Sequence, residues 1–128
     1  MRGLGGRVRA AWAAARAGRG MVETTGVEEL TIAQYLSERD RRDLQLVDVR
    51  ENEEWLDGRI AGSILIPLGE LAVRVGELDP ARPVVTVCRS GRRSLVAAGA
   101  LQAAGFVEVR SLAGGLLEWA AAGQPVEW

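Results

Sequence analysis

Apolar positions along this chain follow two patterns, one typical of strands and one typical of helices. From Val27 onward, short apolar runs are separated by stretches in which apolar residues recur at helical spacing. Parallel strands joined by helices produce this arrangement, so the sequence predicts an α/β fold. One run, Val84–Val87, is almost wholly apolar and β-branched, as expected of a central strand buried on both faces. The other runs predicted as strands are residues 44–49, 63–66 and 107–110.

Helices are predicted between and after these strands. Thr31 and Gln34 stand three apart before an amphipathic stretch, a capping box that opens a helix extending to about Arg39. Acidic residues 51–57 favour the first turns of a short helix, which Gly58 ends. The remaining predictions are a helix over 68–78, a helix over 95–104 closed by Gly105, and a short helix containing Trp119 after Gly114 and Gly115.

The chain length indicates one domain. Its 128 residues suffice for a single hydrophobic core, and we place the domain at residues 23–128. Residues 1–22 form an arginine-rich extension with five arginines and no acidic residue among the first 20. Flanking glycines favour a disordered segment, or one that lies upstream of the true start at Met21. The alternative is a targeting segment or a helix that docks on an anionic surface.

Composition narrows the function further. A net charge of −1 and an aromatic content of 5% argue against a nucleic-acid partner. No apolar run at the head of the chain is long enough for a membrane span. Because the chain has no histidine, no imidazole is present as a general base or metal ligand. One cysteine cannot form an internal disulfide, which predicts a reducing compartment, with the cytoplasm as the default.

The strongest chemical signal follows the strand predicted at Val84–Val87. Cys88 stands at its carboxyl end, which is where parallel sheets bind ligands. A tight glycine-containing loop can turn successive backbone N–H groups inward to hold an anion, and a helix beginning near Arg93 adds its positive end. We therefore expect Cys88 to be a thiolate nucleophile that needs no histidine base. The loop continues as Arg89, Ser90, Gly91, Arg92, Arg93 and Ser94.

A small buried core residue is the alternative interpretation of Cys88, because free cysteines are usually buried. However, an inert thiol gains nothing from three arginines and a glycine within five residues of it. The arginines have an alternative as well, a solvated helix start, but cations there oppose the helix dipole unless an anion is nearby. A sulfur packed away from solvent, with the arginines pointing elsewhere, would contradict the nucleophile hypothesis.

Three separated motifs make the chain resemble a single rhodanese-like domain from about Val27 to the carboxyl terminus. Residues 46–68, LVDVRENEEWLDGRIAGSILIPL, are similar to the family's Asp-Val-Arg segment, acidic helix and Gly-x-Ile-x-Gly-Ala-x-x-Ile-Pro pattern. Residues 88–94, CRSGRRS, resemble its active loop, and residues 105–128 resemble its closing strand, paired glycines, tryptophan and Gly-x-Pro-Val end. The resemblance implies a three-layer α/β fold with a mostly parallel sheet of about five strands flanked by helices.

The same resemblance implies a sulfurtransferase in which Cys88 carries sulfur as a persulfide. Arg89 and Arg93 match loops that tend to use thiosulfate, so the expected partner is a small anionic sulfur donor. Asp48 and Arg50 match a pair that supports the base of the loop. No metal and no organic cofactor is implied. Substrate contacts are expected from Arg89, Ser90, Gly91, Arg92, Arg93 and Ser94.

Several alternatives remain open at this point. With one cysteine, the persulfide needs an external acceptor, which we expect to be cyanide, a thiol such as glutathione, or a thioredoxin-like protein. A non-catalytic rhodanese-like module that binds a partner or senses redox state is a second hypothesis. An arsenate or phosphate enzyme is a third, disfavoured because related phosphatases have a longer loop and arginine where this chain has Ser94. Arg59 replaces the family's histidine, which leaves the local packing and charge open.

Overall fold

The computed structural model describes residues 23–128, and the predicted extension at 1–22 lies outside them. Five parallel strands form one sheet: β1 (Glu28–Leu30), β2 (Gln45–Asp48), β3 (Ile64–Leu65), β4 (Val84–Val87) and β5 (Val109–Leu112). Their spatial order is β1-β5-β4-β2-β3, which places β4 in the middle. The predicted α/β fold with a parallel sheet of about five strands is confirmed.

Short helices connect the strands. They are α1 (Ile32–Glu38), α2 (Asn52–Leu56), α3 (Leu71–Arg74), α4 (Arg92–Ala103) and α5 (Gly115–Ala121), with 3-10 turns at Leu68–Glu70 and Val75–Glu77. Across residues 23–128, no helix is both long enough and apolar enough to cross a membrane.

The sheet is covered on both faces, which confirms the three-layer arrangement. All four residues of β4 are buried, and alternate side chains point to opposite faces of the strand. Val84 packs in a core cluster that includes Leu101 of α4. Val85 and Val87 pack in a second cluster that includes Trp119 of α5. Parallel strands buried in this way leave function to the loops at their carboxyl ends.

Local signals predicted the helix ends well. The Thr31 hydroxyl accepts from the Gln34 amide at 3.1 Å, and the Gln34 side chain accepts from the Thr31 amide at 2.8 Å, so the capping box is confirmed. Gly105 has φ +95°, the left-handed conformation expected just beyond the end of a helix. Trp119 lies in α5, as predicted.

The last strand differs from its predicted bounds. Residues 107–110 were predicted, whereas β5 covers Val109–Leu112. The reason is the end of α4, because the Phe106 amide donates to the Leu101 carbonyl at 3.1 Å and turns the chain back. The Val107 side chain is consequently 73% exposed and precedes the sheet. The three-residue strand β1 had no individual prediction, since a run as short as Glu28–Leu30 has no resolvable alternation.

The predicted helix over 68–78 is broken into three pieces. Two 3-10 turns flank the four-residue α3. Gly69 and Gly76 lie within the turns, and glycine disfavours the interior of a regular helix. Leu68, Leu71 and Leu78 are nevertheless buried, so the apolar spacing correctly identified the core-facing positions.

Arg59, which replaces the family's histidine, packs beside α2. Its guanidinium lies over the Trp55 ring at 4.8 Å from the centroid and donates to the Trp55 carbonyl at 3.3 Å. Its backbone pairs with that of Glu127 in an isolated antiparallel bridge. Arg59 therefore fastens the end of the chain to α2.

Candidate active site

The sulfur of Cys88 lies at the end of the central strand, inside the loop that leads into α4. The Gly91 amide donates to Sγ at 3.1 Å, and the Ser94 amide donates to it at 3.4 Å. Gly91 has φ +99°, which glycine adopts at little cost, and this conformation turns its N–H inward. The loop therefore forms the predicted cradle of amides, with the sulfur as its occupant.

The first turn of α4 contributes directly to this cradle. The first four N–H groups of a helix lack a partner within the helix. Ser94 is the third residue of α4, and its N–H finds its acceptor in Sγ. The positive end of a twelve-residue helix thus points at the sulfur.

A buried pair of serines extends the cradle. Ser94 Oγ lies 3.5 Å from Sγ, and the Ser111 hydroxyl donates to Ser94 Oγ at 2.8 Å. Ser94 Oγ is thus within hydrogen-bond distance of both Sγ and the Ser111 hydroxyl. Ser111 was missed at the level of sequence, since β5 had been predicted to end at Arg110. Had the strand been predicted with its correct bounds, a serine inside a buried strand would have pointed to Ser111 as a site residue.

Cys88 is fully enclosed. Its exposed fraction is 0%, and it belongs to the core cluster beneath α4. The sulfur is thus packed away from solvent, and the loop arginines described below point elsewhere, so both observations stated as contradicting the nucleophile hypothesis are present. An inert core thiol, however, does not require two backbone amides directed at its sulfur, and such donors are the arrangement that stabilises an anion.

The three loop arginines do not converge on the sulfur. Arg89 and Arg92 are exposed, and neither forms an ion pair within residues 23–128. Arg93 instead donates to Glu54 of α2, with Nη1–Oε1 at 2.7 Å and Nη2–Oε2 at 2.9 Å. Arg93 is thus engaged in a bidentate contact with a carboxylate of the chain, and its expected contact with an anionic donor stays a prediction. The bond to Glu54 raises the pKa of Arg93, to which the nearby Cys88 adds a smaller contribution.

A cavity of about 210 Å³ opens beside the loop. Cys88 is not among the residues that line it. Sequence reasoning had treated its acidic and leucine residues only as parts of helices. The lining residues are Arg50, Glu54, Asp57, Arg89, Leu116 and Leu117.

Asp48 and Arg50 form a buried ion pair below this cavity. Asp48 is 0% exposed and Arg50 is 5% exposed, and Arg50 Nη2 donates to Asp48 Oδ2 at 2.8 Å. The same guanidinium donates to the Gly58 carbonyl at 2.8 Å and to the Glu54 carbonyl at 3.2 Å. The pair therefore joins the end of β2 to the middle of α2 and to Gly58, which follows that helix. Within residues 23–128, no group of three or more cysteine, aspartate or glutamate side chains could hold a metal ion.

The Glu54–Arg93 contact predicts a pH-dependent contribution to stability. Hydrogen bonds from Arg93 are the largest cause that lowers the pKa of Glu54 from 4.5 to about 2. Ionised Glu54 therefore stabilises the folded state above pH 4.5, and this contribution is lost as the pH falls from 4.5 towards 2. After allowance for solvent screening of a partly exposed pair, we expect Glu54→Gln to cost about 1–2 kcal/mol at pH 7. Urea denaturation at pH 7 and near pH 2 would measure it, and an equal cost at both would contradict the assignment.

Comparison with known proteins gives a consistent result. A profile described as Rhodanese-like domain matches residues 31–122. Thiosulfate sulfurtransferase GlpE of Shewanella oneidensis is 34% identical over 92 residues, which cover 72% of this chain and 91% of that protein. An HTH-type transcriptional regulator of Mycobacterium tuberculosis is 41% identical over 102 residues, 78% of this chain. The match spans only 45% of that regulator.

Solved structures agree with the sequence comparisons. A rhodanese-related protein from Thermoplasma volcanium superposes with a TM-score of 0.72 at 29% identity. The superposition covers 78% of this chain and 97% of the other. The similarity therefore extends over nearly the whole of a single domain.

Proposed function

This chain belongs to the family of rhodanese-like domains, and we propose that Cys88 carries a sulfane sulfur as a persulfide. At the level of the family, the chain is related to sulfurtransferases. The donor proposed is thiosulfate or another persulfide donor, and the acceptor is an external thiol, a thioredoxin-like protein or cyanide. The observation that carries the proposal is the pair of amides, from Gly91 and Ser94, directed at Sγ. We place this activity in the cytoplasm, because the only thiol must stay reduced.

The reaction proceeds in two half-reactions. The Cys88 thiolate attacks the outer sulfur of thiosulfate, a new S–S bond forms, and sulfite leaves with the electron pair of the broken bond. An acceptor thiolate then attacks the outer sulfur of the persulfide and regenerates the Cys88 thiolate. Sulfur in the cradle carries one negative charge as the Cys88 thiolate and again as the persulfide anion. The same amides therefore stabilise the charge in both half-reactions. Kinetics of the ping-pong type follow from this order.

Enclosure of Sγ imposes a step before transfer. We place the incoming donor first in the cavity beside the loop, where the exposed Arg89 supplies a positive charge. Movement of the loop then uncovers the sulfur. Exclusion of water from the sulfur at rest strengthens its interaction with the amides and protects a persulfide from competing reactions.

Intact-mass spectrometry tests the proposal directly. Wild-type protein treated with excess thiosulfate is expected to gain one sulfur atom, and Cys88→Ser is expected to gain none, because it lacks the only thiol. Dithiothreitol should return the wild type to its original mass, which distinguishes a persulfide from irreversible oxidation.

Other outcomes of this experiment separate the alternatives. A wild type that gains no sulfur but hydrolyses an aryl phosphate through Cys88 would replace the proposal with a phosphate enzyme. A wild type that does neither would support a non-catalytic module. Sulfur gained equally by Cys88→Ser would show that the adduct is not at the proposed site.

A further inference from the structure

The side chain of Glu54 occupies the position at which a donor anion would bind Arg93. The two groups form parallel hydrogen bonds of 2.7 and 2.9 Å. In this bidentate geometry one carboxylate occupies both N–H groups on one edge of the guanidinium. Glu54 also accepts from the Glu51 amide at 3.0 Å, so α2 holds the carboxylate in place. An incoming anion must therefore displace Glu54 or do without Arg93.

The cavity beside the loop has little net positive charge. Arg50 is neutralised by Asp48, and Glu54 is neutralised by Arg93. Among the charged residues that line the cavity, this leaves Arg89 and Asp57, which have no ion-pair partner within residues 23–128 and carry opposite charges. Leu116 and Leu117 supply an apolar wall. A doubly charged anion gains little here, whereas a weakly charged molecule with a carbon chain matches the lining.

We propose that Glu54 is a specificity-determining residue that selects against dianionic sulfur donors and in favour of organic persulfides. The inference rests on the proposed function, since it concerns the donor that Cys88 uses. Thiosulfate brings two negative charges beside the Glu54 carboxylate, and like charges in contact disfavour binding. An organic persulfide brings at most one, and its alkyl group packs on Leu116 and Leu117.

The transfer from such a donor balances without a further reactant. The Cys88 thiolate attacks the outer sulfur of R–S–SH, and the bond between the two donor sulfurs breaks. The electron pair leaves with R–S⁻, and the outer sulfur keeps its proton and becomes the terminal sulfur of the Cys88 persulfide. No sulfite is produced, so the two donor classes are distinguishable by product.

Glu54→Gln is the direct test, with Glu53→Gln as its matched control. Glutamine keeps an oxygen for the Glu51 amide but removes the charge that holds Arg93. Glu53 lies next to Glu54 on α2, is exposed, and forms no ion pair within residues 23–128. The probes are thiosulfate and the persulfide of 2-mercaptoethanol, compared by kcat/KM for sulfur transfer.

Glu54→Gln is expected to raise the ratio of kcat/KM for thiosulfate to kcat/KM for the persulfide by about tenfold, the effect of about 1.4 kcal/mol. Glu53→Gln should leave this ratio unchanged. The wild type itself should prefer the persulfide by at least about tenfold. Circular dichroism would establish that each variant is folded.

The possible failures are distinguishable. If wild type transfers sulfur from neither donor, or Cys88→Ser transfers it equally well, the proposed function is wrong. If wild type is active through Cys88 but uses the two donors equally, the role of Glu54 is overturned, whatever the variants do. An equal rise for both donors in Glu54→Gln would likewise overturn discrimination by charge.

Discussion

Replacement of Asp48 by asparagine is expected to lower the free energy of unfolding by about 3–5 kcal/mol. The reason is the Arg50 guanidinium, which is 5% exposed and would lose its only carboxylate partner within residues 23–128. Asparagine has nearly the same shape, so the loss measures charge rather than packing. A domain of this size is typically stable by about 5–15 kcal/mol, so urea denaturation at pH 7 would register the change clearly.

Two controls separate this buried pair from ion pairs in general. Glu77→Gln breaks the Arg74–Glu77 pair, whose shortest distance is also 2.8 Å, but whose side chains are 32% and 49% exposed. Solvent screens such a pair, so the urea denaturation midpoint of Glu77→Gln should fall far less than that of Asp48→Asn. The double variant Asp48→Asn with Arg50→Met should recover stability relative to Asp48→Asn alone, since no unpaired charge remains buried. A small loss in Asp48→Asn would contradict the supporting role of the pair.

The position of Cys88 was predictable from sequence because its causes are local. The apolar run Val84–Val87 was assigned its observed bounds, and Cys88 follows it directly. Gly91 and Ser94, whose amides donate to the sulfur, lie three and six residues after Cys88, so a short loop and one helical turn are enough to direct these amides at it. Strand, loop and helix therefore specify the cradle together.

The surroundings of the cradle were not predictable, because they depend on residues distant in sequence. Arg93 was assigned to the donor because its place in the loop matches the pattern that the family resemblance implies, but a loop pattern does not fix the direction of a long side chain. Its partner, Glu54, lies 39 positions earlier and reaches Arg93 only through the pairing of β2 with β4. Ser111 lies 17 positions after Ser94, and the register of β5 beside β4 brings its hydroxyl to Ser94 Oγ. The donor specificity that we propose depends on the first of these long-range contacts.

The cradle also depends on a close approach between the loop and α5. A methyl carbon on Gly115 would lie 2.2 Å from the Cys88 carbonyl oxygen and 2.7 Å from that of Arg89. These two carbonyls accept from the amides of Leu116 and Leu117 at 2.9 and 3.0 Å. The start of α5 thus holds the backbone on both sides of the Cys88–Arg89 peptide, and only glycine fits there.

Gly115→Ala is accordingly expected to destabilise the protein by about 2–5 kcal/mol, from backbone at positive φ and from steric overlap together. The loop must move away from α5, so sulfur transfer to Cys88 should fall about 100-fold, as displacement of a catalytic group by about 1 Å commonly produces. Gly123→Ala, beyond the other end of α5, is the matched control. Its φ is +74°, against +54° at Gly115, but within residues 23–128 no atom beyond its own chain neighbours lies within 4 Å of its added methyl. It should lose about 1–2 kcal/mol and keep its transfer rate, whereas equal effects of the two variants would contradict the contact.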